Sequence, residues 1–141
     1  MILVLLVYHR SVVSQILLEL FMSTSRIRLV VEFLIAEGKL TEFEAVAKEM
    51  VAVSEAEPGT LAYHFLLSAD RKRCRLVEGY TDADAITTHF NGPAVLEFVP
   101  KLVQFGSPTR MEIYGNPGVQ VSVVAAAYGA EVFLAWQGFD R

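Results

Sequence analysis

Residues 27–35, IRLVVEFLI, carry apolar side chains on both faces of a strand. Ile27, Leu29, Val31, Phe33 and Ile35 alternate onto one face. Arg28, Val30, Glu32 and Leu34 take the other. Such a strand needs cover on both sides. The rest of the chain must supply that cover.

The elements that follow arrive in a telling order. EGK turns the chain at Gly38, and TEFE reads as a capping box, Thr41 capping with Glu44 three residues on. Phe43, Val46, Ala47, Met50 and Val53 form a helical stripe ending near Ser54. EAEPG stops it. TLAYHFLLS and RCRLVEGY follow as a hairpin around Asp70, with DRKRCR read as a solvated turn. A second helix starts at TDAD, capped by Thr81 or Asp82, and runs to about Phe90. NGP interrupts it: Asn91 or Gly92 can take the left-handed stop, and Pro93 opens a new helix bearing Val95, Leu96, Val99, Leu102 and Val103. FGSP breaks that helix, and TRMEIYG is a fourth strand.

The order β-α-β-β-α-β predicts an α+β, ferredoxin-like antiparallel sheet with its helices on one face. The other face would expose Val30, Leu34, Leu66 and Val77, which are too apolar for water. Two such sheets packed face to face would bury them. Composition points the same way: 53% of the 141 residues are hydrophobic and 20% charged, more apolar side chain than one small domain can hide. A homodimer is therefore expected.

A net charge of −4 argues against a nucleic-acid surface. The lone Cys74 allows no internal disulfide, suits the cytoplasm, and reads as a small buried apolar group. MILVLLVY meets His9 and Arg10 too early to span a membrane and lacks the flanks of a signal peptide. Residues 1–25 are treated as an N-terminal extension, either an amphipathic helix or residues preceding a start at Met22. Residues 26–115 form the domain, and 116–141 an extension. In that extension, residues 117–128 read as helix or strand, with the helix favoured. EVFLAW reads as a short edge strand open to a partner subunit.

EPGTLAYHF, VEGYTDADAITTH and MEIYG, in this order and spacing, resemble the antibiotic biosynthesis monooxygenase family over about residues 28–115. Glu57-Pro58-Gly59, Tyr63 and the run from Glu78 through Tyr80, Asp82 and Ala85 to His89 carry the likeness, and WQGFDR resembles an extension that some members add. The resemblance implies a dimeric α+β barrel with a pocket between sheet and helices. Members include oxygenases of quinols and phenols that use no flavin or metal. Haem-degrading members share an asparagine on the first strand and a tryptophan before the second helix. Here those places hold Val30, Val31 or Glu32, and Tyr80, which speaks against haem.

The candidate catalytic residues are His89 as base and Glu78 as its orienter or a second acid. Substrate contacts are expected from Tyr63, Tyr80, Ile86 and Phe90. Asp82, Ala85, Ile86 and His89 share one side of the helix. His89, in its last turn, feels the helix dipole, which favours the charged ring, and any apolar wall, which opposes it. The plainer alternatives are a helix-end histidine bonded to a carbonyl or water, and Glu78 paired with Arg75 or Arg110. Glu32 is read first as a residue of the dimer face and His64 as an edge residue. His9, His64 and His89 lack metal spacing, so no metal is expected, and the resemblance implies no cofactor. The activity expected is oxidation of a quinol, phenol or related small aromatic by O2. A non-catalytic ligand-binding module, or an isomerase or lyase of a small carbonyl compound, is the alternative. No nucleic acid and no membrane partner are expected.

Overall fold

The computed structural model describes Val13, Ser14 and residues 26–139. The expected N-terminal extension lies otherwise outside the described residues, as do Asp140 and Arg141. The elements are β1 (Ile27–Ile35), α1 (Leu40–Glu55), β2 (Thr60–Leu67), β3 (Arg73–Tyr80) and α2 (Ala83–Phe90). A π-helical turn (Ala94–Phe98) then runs into α3 (Val99–Leu102). β4 (Gly106–Tyr114), α4 (Gly118–Ala127) and β5 (Glu131–Phe133) follow.

The sheet order is β2-β3-β1-β4-β5, with β1 central. The β1–β3, β1–β4 and β2–β3 pairings are antiparallel. β5 departs from the expected pattern by lying parallel to β4 of its own chain, so the sheet is mixed. The α4 helix is the crossover that a parallel neighbour needs. Tyr114 and Phe133, opposite each other in that pairing, stack with ring centroids 5.4 Å apart.

The register puts Tyr63, Glu78, Leu29 and Ile113 in one row across four strands. That row faces the helices. Phe33, Phe43, Met50, Leu76 and Leu102 fill one half of the core. Ile27, Leu29, Tyr80, Ile86, Ile113 and Val121 fill the other. On the opposite face Leu34 and Leu66 remain 50% and 54% exposed. Glu32 lies on this face and binds Arg75 at 3.0 Å.

Three local expectations need correction. The α1 helix begins at Leu40, with Lys39 rather than Thr41 at its N-cap and no side-chain cap. Leu40 packs on the core, and the first helical bond runs from Phe43 N to Lys39 O. Burial of Leu40 thus fixes the start ahead of the capping box. Next, neither Asn91 nor Gly92 adopts a left-handed backbone. Gly92 serves space instead: a Cβ there would stand 3.1 Å from Glu57 Oε1. Last, FGSP is not a break ahead of β4, because Gly106–Pro108 already pair with β1. A bulge after Glu32 admits the extra residue, and a Cβ on Gly106 would meet the Phe43 ring at 2.8 Å.

Candidate active site

The α2 helix is short and its start is built by Asp82, whose side chain accepts from Ala85 N at 2.9 Å. This cap sets the rotation of the helix, which turns Ile86 and His89 inward. The Glu57-Pro58-Gly59 loop locks against the same helix. Thr81 N donates to Gly59 O at 3.0 Å, and Gly59 lies so close that a Cβ there would be 2.5 Å from Ala85 Cβ. Loop and helix together bring Glu57 to His89, 32 residues away in sequence.

His89 is 1% exposed. Its Nδ1 lies 2.8 Å from Glu57 Oε2, and the Thr60 hydroxyl donates to that same oxygen at 2.7 Å. Its Nε2 lies 3.9 Å from Glu78 Oε2. The rings of Tyr63 and Tyr80 both have centroids 5.4 Å from the imidazole. Burial holds the His89 ring below its ordinary value, against the Glu57 hydrogen bond and charge that push it up.

Glu78 is 3% exposed and accepts a close hydrogen bond from the Tyr80 hydroxyl. Burial pushes its carboxyl up to about 8; the Tyr80 bond pulls down and the Glu57 charge pushes further up. It is therefore a neutral acid at pH 7. Neither Arg75 nor Arg110 reaches it. Arg75 binds Glu32 and Arg110 binds Glu112 on the other face of the sheet. Burial, with Glu78 nearby, also raises Tyr63 well above the usual phenol value, so it stays a hydrogen-bond donor.

These groups line a cavity of about 480 Å³. Glu78, His89 and Tyr63 form part of its buried wall, with Leu29, Leu76 and Met50. Toward the surface it passes Leu96 and Val103 on one side and Val124 and Tyr128 on the other, all exposed. The π-helical turn brings Val95 and Leu96 to this rim; π turns recur where helices border sites.

Of the residues expected at the site, His89, Glu78, Tyr63 and Phe90 line the cavity. Ile86 and Tyr80 lie outside that lining. Both are wholly buried in the core half formed with Ile27 and Ile113, where Tyr80 meets the site by its hydrogen bond to Glu78 and by its ring against His89. Glu57 was missed as a site residue, because its only signal was the Glu-Pro-Gly motif. Among the described residues no group of three or more His, Cys, Asp or Glu could hold a metal ion. No helix among them is long and apolar enough to cross a membrane.

A family model described as antibiotic biosynthesis monooxygenase matches residues 26–101. No curated protein matches the chain. Among solved structures, MupZ from Pseudomonas fluorescens is 23% identical, with a TM-score of 0.71, covering 82% of this chain and 94% of its own. Rv0793 from Mycobacterium tuberculosis is 20% identical, with a TM-score of 0.60, covering 67% and 98%. SnoaB from Streptomyces nogalater, a cofactor-independent oxygenase, is 20% identical, with a TM-score of 0.57, covering 67% and 95%. At these identities the likeness is one of fold.

Proposed function

The chain belongs to the antibiotic biosynthesis monooxygenase family, and we propose that it is a monooxygenase that oxidises a phenol or quinol-type aromatic with O2, using no bound cofactor. The observation that carries this reading is an imidazole and a buried carboxyl facing each other 3.9 Å apart on the wall of an apolar cavity.

Phenols react with O2 only after losing a proton, because the anion gives up an electron readily. His89, with a depressed ring pKa, is neutral at pH 7 and can take that proton. Glu78 and Tyr63 hold theirs and can donate hydrogen bonds to the oxygen left negative. The apolar wall excludes water, which strengthens those bonds and protects the anion. For a phenol with a free ring position the atoms balance as phenol plus O2 giving quinone plus water. A ring carbon bonds to oxygen and loses its hydrogen, the O–O bond breaks, and the second oxygen leaves as water.

The test is oxygen uptake with a panel of phenols and quinols, wild type against His89→Ala. The expected result is a loss on the order of 100-fold or more with the variant; equal rates would remove His89 from the chemistry. The same reading seats a second copy of the chain on the open sheet face around Leu34 and Leu66, and sedimentation at micromolar concentration should give a dimer.

A base and a neutral acid in one cavity favour a second reading. An isomerase or lyase acting on a small carbonyl compound would use the same pair to move a proton without oxygen. Turnover under nitrogen distinguishes it from the first.

A further inference from the structure

We propose that Glu57 is the positioning residue of this site: it keeps the His89 proton on Nδ1 and so presents an unprotonated Nε2 to the cavity. Glu57 Oε2 already accepts from the Thr60 hydroxyl at 2.7 Å. A carboxylate oxygen only accepts, so at 2.8 Å the Nδ1–H is the donor. The neutral ring then carries its lone pair on Nε2, the nitrogen 3.9 Å from Glu78.

The arrangement is built around the carboxylate. Glu57 Oε1 is buried with no hydrogen-bond partner among the described residues, and the chain passes it at Gly92, where a side chain would crowd it. A buried oxygen left unpaired is destabilising, so holding the helix end does not by itself account for a carboxylate in this place. Orienting an imidazole and supporting the charge it gains when it takes a proton does. The groups facing His89 are Glu57 from the loop after α1, Tyr63 from β2, and Glu78 and Tyr80 from β3. Of these only Glu57 bonds the imidazole directly.

This deepens the proposed function, since it rests on His89 acting as the base. It is testable without substrate or oxygen. Nitrogen-15 chemical shifts of His89 in the full chain, labelled at histidine, report which nitrogen carries the proton and where the ring titrates. The wild type should show the proton on Nδ1 at pH 7. In Glu57→Gln the titration midpoint should fall by about one pH unit or more, because the hydrogen bond and the charge that raise it are both weakened. A wild-type proton on Nε2, or an unmoved midpoint in a folded Glu57→Gln, would overturn the proposal. If the variant fails to fold, the wild-type shifts alone decide. A proton found on Nδ1 in a protein that consumes no oxygen would support the role of Glu57 and count only against the oxygenase reading.

Discussion

Replacing Glu78 by Gln should remove one of two opposing pH dependences of stability between pH 5 and 8. In the folded chain the Glu78 carboxyl is held up to about 8, mainly by burial, against an unfolded value of 4.5. Between those values the unfolded chain has lost the proton and the folded chain keeps it. The folded state binds more protons, so stability falls as pH rises, by about 1.4 kcal/mol per pH unit. His89 works in the opposite sense. Its folded value lies below 6.5, so the unfolded chain takes up a proton first and stability falls as pH drops below 6.5.

Below pH 6.5 the two slopes cancel and the wild type should be nearly flat until His89 titrates in the folded state. Above 6.5 only Glu78 remains, and stability should fall by about 2 kcal/mol on reaching pH 8. Cys74, raised by burial to about 11, acts only above its ordinary range. Glu32, Asp70 and Glu112 are lowered and act only below the usual carboxylate range. Glutamine keeps an acceptor for the Tyr80 hydroxyl and cannot ionise, so the variant should be flat above pH 6.5 and lose stability below it. Urea unfolding at half-unit steps reads both curves. Parallel curves for wild type and variant would refute the assignment of Glu78 as a buried neutral acid.

Two further variants test the local architecture that positions His89. Asp82→Ala removes the cap on Ala85 N and should cost about 1 kcal/mol in urea unfolding; no change would mean the cap does not hold α2 in place. Gly59→Ala drives a methyl into Ala85 and should cost about 1–3 kcal/mol. Adding Ala85→Gly should restore part of that loss, and strictly additive effects in the double-mutant cycle would contradict the close approach.

Much of the fold was legible because it rests on local patterns. The alternation in residues 27–35 marked β1 as a strand with one face for the core, and Asp82 was among the two caps offered for α2. Tertiary packing decided what those patterns could not. Leu40 starts α1 early because it is needed in the core, and Gly106–Pro108 join β4 because a bulge in the β1–β4 register lets them. The direction of β5 follows from the α4 crossover, which three residues of strand do not announce. At the site, His89 and Glu78 stood out as polar groups on apolar faces. Glu57 did not, because its partner lies 32 residues away and only the close packing of Gly59 on Ala85 and of Gly92 on the carboxylate brings them together. Tyr80 and Ile86 share the right strand and helix with Glu78 and His89. Which of two neighbours meets a cavity and which meets the core depends on side-chain rotation that spacing leaves open.

The central claim is that this cavity activates a phenol-type substrate for reaction with O2 through His89. Turnover under ¹⁸O2 tests it most directly. One labelled oxygen should appear in the quinone product and the other in water, and His89→Ala should abolish both. An unlabelled product, or the same product formed under nitrogen, would contradict the account.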